Sequence, residues 1–470
     1  MSKVHVRRIL AMLLCTAAML SSGSDGDGAL TGDIIERIQA SHTADEKDRI
    51  IANALTKNKI TDIVLNRDFF IRHNDLFSHT IDTKGITDQK SSGRCWLFAA
   101  FNVLRPAMIK TYKLKNFEFS QNYLFFWDKM EKANTFLERI IETADTDLTD
   151  REMHMLLRSP IGDGGYWAYV VNLVNKYGVI PKDAMPETYS SEHSWPMNDL
   201  LARRLRMDAY ELRSALENGV TIEDVRKVKI EMLEDVYRML AFNLGEPPSE
   251  FIWRYETVGG KVSEAELHTP YSFYTEVVKV NLSAYIPLMH YPGKEYNRLY
   301  QFDDQRNVWE APDPLFINAD IPDIKTWAKT SVLSDDPAYF YCDVVPDKYS
   351  KAGILSTRIL DYRLMYDIPL DMPKAERILY RESASNHAMV LIGVDIENDD
   401  PVKWLTEDSH GPEDGHDGYW TLYDDWFDAY VYGAVIHEDH VPAAIRRLMQ
   451  EKPIHLPYWD PMAQLLWDTE

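Results

Sequence analysis

Positive charge and cysteine are both scarce in this chain of 470 residues. Lys and Arg number 51 against 74 Asp and Glu, which gives a formal net charge of −23 at pH 7. An acidic chain lacks the electrostatic footprint of a nucleic-acid-binding protein, so we expect no nucleic-acid partner. The three cysteines are Cys15, Cys95 and Cys342, and we expect no disulfide framework among them.

Several motifs that carry cofactors are missing as well. The sequence has no HExxH motif, no CxxC pair and no phosphate-binding loop. We therefore expect neither a metal nor a nucleotide cofactor. Internal repeats and low-complexity tracts are not evident either.

The N-terminal apolar run, Ile9 to Leu20, is too short for an ordinary membrane-spanning helix. It follows three basic residues and precedes the small residues Ser21-Ser22-Gly23. This pattern predicts a signal peptide over residues 1–23, cleaved near Gly23, and export to the periplasm or the medium. The alternative is an uncleaved amphipathic start.

The rest of the composition is typical of a folded globular protein. Hydrophobic residues make up 45% of the chain and aromatic residues 12%, which argues against disorder. A chain of this length can bury a large core, and we expect two or three subdomains.

One stretch combines a polar turn with a long apolar run. Residues 88–93 are polar and turn-forming, and the run from Trp96 to Met108 favours a helix. Cys95 should therefore lie in the first turn of a buried helix, where free N–H groups and the helix dipole favour a thiolate. Such a cysteine is a candidate nucleophile, and a disulfide to Cys342 would consume it. The alternative is a small core residue, which is our interpretation of Cys342 because it ends a strand-like pattern.

The residues on either side of Cys95 help to decide between a nucleophile and a core residue. Gln89, Gly93, Cys95 and Trp96 resemble the active-site segment of papain-like cysteine peptidases. The longer stretch QKSSGRCWLFAAFNVLRP is similar to the bleomycin hydrolase and aminopeptidase C family, and further similarity follows along most of the chain. In that family the residue matching Gln89 supplies an oxyanion-hole donor.

The resemblance implies an α+β fold, with a helical half, an antiparallel β half and a large, mostly helical insertion. The expected domains are the signal peptide 1–23, the helical half 24–190, the insertion 191–330 and the β half 331–470. Cys95 and the candidate histidine are farther apart than the roughly 130–150 residues of a minimal enzyme, which agrees with an insertion. The family uses such insertions to build a ring-shaped homohexamer.

His387 begins a continuous apolar strand pattern and matches the family's catalytic histidine. It would hold Cys95 as a thiolate–imidazolium pair and protonate the leaving amine. The family then has a strand ending Glu-Asn-Ser-Trp-Gly, where this chain has Asp408 for the asparagine and His410 for the tryptophan. A carboxylate can accept the imidazole N–H as an amide does, and it favours the imidazolium. Losing the tryptophan would expose that bond to water.

Two further segments match substrate-binding parts of the family. Gly164 and Gly165 precede a helix and allow close backbone approach. In the family a Gly-Gly pair here binds the substrate main chain, whereas a simple turn would explain it equally well without the resemblance. The family's C-terminal residues enter the cleft and present a carboxylate to the substrate ammonium, a role that would fall to Glu470. The alternative is a disordered tail.

Together these features predict a cysteine aminopeptidase that removes N-terminal residues from peptides through an acyl-enzyme thioester. One alternative is an endopeptidase on the same fold. Another is a catalytically impaired peptide-binding homologue, which the replacements at Asp408 and His410 would explain.

Overall fold

The computed structural model describes residues 28–42 and 45–466, which fall into two units divided between Val64 and Leu65. The expected signal peptide 1–23 and Glu470 lie outside the described residues. Among the described residues, no helix is both long and apolar enough to span a bilayer.

The N-terminal unit is helical. Its helices in the described ranges are α1 (Gly32–Ser41), α2 (Glu46–Leu55) and α3 (Ile60–Ile63). Helix α2 begins at a capping box in which the Asp45 carboxylate accepts hydrogen bonds from the backbone N–H groups of Lys47 and Asp48.

The larger unit contains fifteen α-helices among the described residues: α4 (Arg67–Phe70), α5 (Cys95–Tyr112), α6 (Gln121–Glu142), α7 (Arg151–Arg158), α8 (Trp167–Tyr177), α9 (Tyr189–Glu192), α10 (Trp195–Glu217), α11 (Ile222–Leu244), α12 (Pro270–Ser272), α13 (Ile321–Leu333), α14 (Tyr362–Tyr366), α15 (Lys374–Leu379), α16 (Asp424–Tyr430), α17 (Ala443–Arg446) and α18 (Pro461–Gln464). A π-helical turn, Phe273–Val278, continues α12. Short 3₁₀ turns cover Lys182–Ala184, Leu282–Ala284, Ser350–Ala352, Glu438–His440 and Arg447–Gln450.

The long helices begin and end at residues whose side chains explain their limits. The Ser120 hydroxyl accepts the N–H of Tyr123 at the start of α6, and Thr221 caps α11 in the same way. Helix α8 ends at Gly178, whose φ of 70° suits glycine. A Cβ at Gly178 would also lie 2.3 Å from the Pro270 carbonyl carbon, so no other residue fits there.

Fourteen strands accompany the helices in the part of the chain that the structure describes: β1 (His79–Thr80), β2 (Phe251–Trp253), β3 (Glu266–His268), β4 (Tyr285–Met289), β5 (Arg298–Phe302), β6 (Leu315–Asn318), β7 (Ala338–Cys342), β8 (Lys348–Tyr349), β9 (Ile354–Leu355), β10 (His387–Glu397), β11 (Asp400–Glu407), β12 (Tyr419–Tyr423), β13 (Val431–His437) and β14 (Ile454–Leu456). Strands β2 and β3 form a small ribbon. The other twelve form one mostly antiparallel sheet in the order β14-β5-β6-β4-β13-β7-β10-β11-β12-β9-β8, with β1 added to β10.

This arrangement confirms the predicted α+β class. The sheet extends across the boundary expected at residue 330, because β4, β5 and β6 lie in the same sheet as strands from the later part of the chain. Helix α5 packs against β10, and both contribute fully buried side chains such as Leu97 and Leu391. The N-terminus of α5 and the start of β10 therefore lie together where helices meet the sheet.

Candidate active site

Cys95 is the first residue of α5 and lines a cleft of about 970 Å³. It is half-buried, whereas the residues that follow it from Trp96 to Leu104 are buried. The first N–H groups of a helix have no intrahelical partner, and the positive end of the helix dipole lies there. The thiol is thus open to the cleft at a position that stabilises negative charge.

The turn before Cys95 is fixed by Arg94, a buried residue that the sequence reasoning missed. Its guanidinium lies 2.9 Å from the Glu187 carboxylate and contacts the faces of Phe98 and Phe125. Its Nε also donates to the Ser92 hydroxyl at 2.9 Å. No signal in the sequence pairs Arg94 with a residue so distant in the chain.

His387 is the first residue of β10 and is buried beside Cys95 and Asp408. Its Nε2 lies 2.6 Å from Asp408 Oδ1, which leaves Nδ1 as the ring atom for the Cys95 thiol. Burial alone would lower the pKa of His387, but the Asp408 charge and the hydrogen bonds to Asp408 and Cys95 raise it to about 10. The imidazole is therefore held as an imidazolium at neutral pH.

Asp408 follows the last residue of β11 and is 1% exposed. Burial would raise its pKa, but the His387 charge and hydrogen bonds from His387 and His410 hold the pKa of this carboxyl well below its usual range. The Ser409 N–H donates to Oδ1 at 2.7 Å, while His410 Nδ1 lies 3.1 Å from Oδ2. Both carboxylate oxygens are thus engaged.

His410 lies beside this pair and is open to the cleft. Its side chain is 38% exposed and lines the cleft, and its ring centroid lies 5.0 Å from that of His387. Among the described residues, His387, Asp408 and His410 also form the one group of three side chains whose donor atoms could hold a metal ion. Those atoms are engaged in the imidazole–carboxylate contacts just described.

A second buried contact fixes the strand that carries Asp408. Arg105 on α5 donates to the carboxylate of Glu407 at 2.5 Å. Burial raises the pKa of Glu407 to about 7 against the effect of Arg105. This pair, which sequence reasoning also missed, ties helix α5 to the end of β11.

Gln89 joins the turn before Cys95 to the segment after Asp408. Its Oε1 accepts the Ser409 hydroxyl at 2.6 Å, and its backbone N–H donates to the Ser409 carbonyl at 2.7 Å. Its Nε2 donates to the Ser92 carbonyl at 2.6 Å. A side-chain amide has two N–H groups, so one is left for the cleft that Gln89 lines.

Gly164 and Gly165 line the same cleft. A Cβ at Gly165 would lie 2.6 Å from the Trp96 ring, so only glycine allows this approach. The Trp96 indole N–H donates to the Asp163 carbonyl at 2.7 Å, and the Gly164 carbonyl accepts from Lys132 at 2.6 Å. The glycine pair is therefore held directly against the start of α5.

The neighbouring Asp163 carboxylate anchors this segment. It accepts hydrogen bonds from the Gly93 N–H at 3.0 Å, from Lys129 at 2.7 Å and from Ser194. Burial would raise its pKa, but the Lys129 ammonium and these hydrogen bonds lower it. The charged Asp163 carboxylate thus links the glycine pair to the turn before Cys95.

The last described residues also reach the cleft. The Leu465 carbonyl accepts the Ser385 N–H at 2.8 Å, two residues before His387, and the Gln464 side chain accepts from Arg381 at 2.9 Å. Leu466 lines the cleft together with Cys95. Glu470 lies outside the described residues.

Known proteins are similar to this chain in both sequence and fold. The Peptidase C1-like family matches residues 29–463. Aminopeptidase C from Lactobacillus delbrueckii subsp. lactis is 37% identical over 424 residues, which cover 89% of this chain and 94% of that protein. Human bleomycin hydrolase is 36% identical over 425 residues, which cover 88% and 93%.

A solved structure also has a similar fold. The crystal structure of PepW from Lactobacillus rhamnosis HN001 (DR20) superposes with a TM-score of 0.90 at 36% identity, covering 93% of this chain and 99% of that one. The sheet and helices described above are therefore a papain-like fold. The chain belongs to the Peptidase C1-like family of cysteine peptidases, the family of aminopeptidase C and bleomycin hydrolase that the segment around Cys95 resembles.

Proposed function

We propose that this protein is a cysteine aminopeptidase that releases N-terminal residues from peptides. The observation that carries the proposal is the meeting of Cys95, His387 and Asp408 in one site, with His387 Nε2 bound to Asp408 at 2.6 Å. Two relatives named aminopeptidase C and bleomycin hydrolase cover most of the chain and support the same activity.

In the proposed reaction the Cys95 thiolate attacks the carbonyl carbon of the first peptide bond. The Cys95 backbone N–H and the free N–H of the Gln89 amide donate to the resulting oxyanion. The His387 imidazolium then gives its proton to the leaving amine as the C–N bond breaks, which leaves a thioester on Cys95. Water, deprotonated by His387, hydrolyses the thioester and restores the thiolate–imidazolium pair.

The preference for a free N-terminus is proposed from the tail. Leu466 lines the cleft, and the Leu465 carbonyl accepts the Ser385 N–H two residues before His387, so the described part of the chain ends at the cleft. Asp468 and Glu470 carry the charge sign that attracts a substrate ammonium. The tail would thus block one side of the groove and select N-terminal residues.

A panel of aminoacyl amides, free and N-acetylated, tests both the aminopeptidase activity and the role of the tail. The full chain should cleave only the free compounds. A variant truncated from Leu466 onward should lose rate on them and gain cleavage of blocked peptides. The truncation spares Leu465 because that residue is buried and holds Ser385. Cleavage of blocked peptides by the full chain would favour the endopeptidase alternative.

The third interpretation, an impaired peptide-binding homologue, has a specific motive in Asp408 and His410. What argues for turnover is that Asp408 makes the histidine contact that the family's asparagine would make. Labelling with a thiol-directed epoxide, followed by measurement of the intact mass, distinguishes an active enzyme from an impaired homologue. Stoichiometric labelling that abolishes hydrolysis supports the enzyme, whereas binding of peptides without any turnover supports the homologue.

Export and assembly complete the proposal. Residues 1–23 would direct the protein out of the cytoplasm, to the periplasm or the medium. The expected homohexamer has support in the large exposed side chains of the 191–330 region, among them Trp195, Tyr210 and Phe242, which are 75%, 74% and 85% exposed. Trp, Tyr and Phe are enriched in protein–protein interfaces relative to the rest of the surface.

A further inference from the structure

The cleft and the chain that forms it differ in charge. The whole chain carries a formal net charge of −23. In contrast, the described residues that line the cleft include seven Lys or Arg side chains and only two carboxylates, Asp163 and Asp304. Whether these cations can attract a substrate depends on which of them are already paired with the protein's own acids.

Four of the seven have an acidic partner among the described residues, and a fifth, Arg381, donates to the Gln464 side chain at 2.9 Å. The pairs are Lys90 with Asp88, Lys132 with Asp128 at 2.6 Å, Arg139 with Glu152 and with Asp304 at 2.8 Å, and Arg306 with Asp313 at 3.2 Å. These cations are neutralised in place. A substrate would gain little by approaching them.

Helix α7 is different. It presents Arg151, His154 and Arg158 to the cleft, at spacings of three and four residues that place them on one helix face. All three side chains are exposed, and within the described part of the chain neither arginine has a carboxylate at ion-pair distance. Glu152, on the same helix, is paired with Arg139. We call Arg151, His154 and Arg158 the basic stripe.

The basic stripe lies on a fixed support. The Glu152 carbonyl accepts the Tyr458 hydroxyl at 2.8 Å, and the carbonyls of Leu157 and Arg158 accept from Arg206 at 2.9 and 2.8 Å. The Arg151 guanidinium packs over the Trp459 ring, 5.5 Å from its centroid. The positive charges are therefore held at one wall of the cleft.

The chain connects this wall to the reaction centre. Seven residues after Arg158, Gly165 contacts the Trp96 ring, and Asp163 binds the Gly93 N–H beside Cys95. The cleft volume of about 970 Å³ is at the upper end of small-molecule pockets. Because Cys95 and the basic stripe line the same cleft, a peptide that extends along the cleft from Cys95 approaches the basic stripe.

We propose that the basic stripe is a subsite for substrate carboxylates, so that the enzyme prefers acidic peptides. The inference rests on the proposed peptidase function and names its substrate class. An acidic protein repels acidic peptides at long range, and a cleft lined by unpaired cations reverses the sign of the field where the substrate enters. Each exposed charge pair changes affinity by a small factor, up to about fivefold.

The test uses two peptide series on the full-length enzyme. In one, every peptide begins with Ala-Ala and continues with two Glu, two Gln or two Lys residues. In the other, the Glu, Gln or Lys is the N-terminal residue itself. The measured quantity is kcat/KM for Glu relative to Gln, at low and high salt, for the wild type and for the double variant Arg151→Glu/Arg158→Glu.

In the wild type the Glu peptides should be preferred in at least one series, and about 0.5 M salt should weaken that preference. The double variant should lower the Glu-to-Gln ratio about tenfold and raise the Lys-to-Gln ratio, with little change for Gln peptides. The matched control is Arg72→Glu/Arg447→Glu. It makes the same change in net charge at two exposed arginines that do not line the cleft, and it should leave both ratios unchanged.

The outcomes separate the inference from the proposed function. If Gln peptides are cleaved but the Glu-to-Gln ratio is equal in wild type and double variant in both series, the acidic subsite is refuted and the peptidase stands. If the control shifts the ratio as much as the double variant, net charge explains the preference and the subsite is refuted. If no peptide is cleaved at all, the proposed function fails first.

Discussion

Replacing Asp408 by asparagine isolates the effect of one charge on the Cys95–His387 pair. The amide in the Asp408→Asn variant would keep an oxygen for His387 Nε2, and its N–H could donate to His410 Nδ1 in the other tautomer. The geometry can thus survive while the negative charge is lost. Because the wild-type carboxylate lies 2.6 Å from His387 and is buried, the lost interaction is large.

The direction of the expected shift in pH dependence follows from the raised pKa of His387, which is about 10. An imidazolium stabilised by a neighbouring carboxylate loses its proton at higher pH than one beside an amide. The thiolate–imidazolium pair in the wild type should therefore persist into the alkaline range, and the variant should lose it earlier. An opposite charge at this distance shifts a pKa by about 1–3 units, each unit being about 1.4 kcal/mol.

The assay is the pH dependence of kcat/KM on a free aminoacyl amide, corrected for the titration of the substrate's own amino group, so that the alkaline limb reports groups of the free enzyme. Asp408→Asn should keep activity near neutral pH and move that limb down by about 1–3 units. The matched control is Asp208→Asn, a buried carboxylate of α10 paired with Arg204, which should leave the limb in place. An unchanged limb in Asp408→Asn, or one moved to higher pH, would refute the role of the Asp408 charge.

The nucleophile, the oxyanion donor and the assembly can each be tested directly. Cys95→Ala should abolish hydrolysis of every peptide while keeping the melting temperature within a few degrees, because one small half-buried side chain is removed; turnover by the pure variant would exclude the cysteine mechanism. Gln89→Glu keeps an acceptor for the Ser409 hydroxyl but removes the amide donor, so kcat should fall about 10²–10³-fold. The melting temperature should fall as well, because the same change removes the hydrogen bond to the Ser92 carbonyl. A kcat within a few-fold of wild type would remove Gln89 from the oxyanion hole. Light scattering of the mature protein at micromolar concentration should give a hexamer, and a monomer would refute the assembly without affecting the chemistry.

Much of the site was predictable because its signals are local. The polar turn before an apolar run predicted a helix beginning at Cys95, and helix α5 begins there. The apolar pattern after His387 predicted a strand, and β10 begins there. Helices α6 and α11 begin at the caps Ser120 and Thr221, and helices α8 and α11 end at Gly178 and Gly245. Caps and turns act over three or four residues, so a single sequence reveals them.

Not every local pattern in the sequence gives the structure that it favours. The segment from Val277 to Leu288 is strand-like in sequence, and its two leading valines favour strands. Instead a helical turn runs through Val278 and the strand starts only at Tyr285. The cause lies upstream, where Thr269 and Ser272 form a capping box around Pro270. That start signal outweighs the strand preference of the two valines that follow.

The contacts that orient the site could not be predicted, because they join distant parts of the chain. Arg94 meets Glu187, and Arg105 meets Glu407 across the α5–β11 contact. Each of these residues, taken alone, would be expected on the surface. Only the fold shows that their charges are buried and paired, and therefore that they hold Cys95 and Asp408 in place rather than solvating the protein.

The two departures from the family pattern, at Asp408 and at His410, are best understood as one change. Asparagine offers His387 a single oxygen and carries no charge. An aspartate brings a second oxygen and a negative charge into a buried position, and a buried oxygen without a donor is costly. His410 Nδ1 lies 3.1 Å from that second oxygen, while the Ser409 N–H and His387 satisfy the first. An imidazole at position 410 thus supplies the donor that a carboxylate at position 408 requires. The Asp408 carboxylate holds the His387 imidazolium more firmly than an amide would. In the proposed mechanism the Cys95–His387 pair is therefore maintained by charge rather than by a shielding indole.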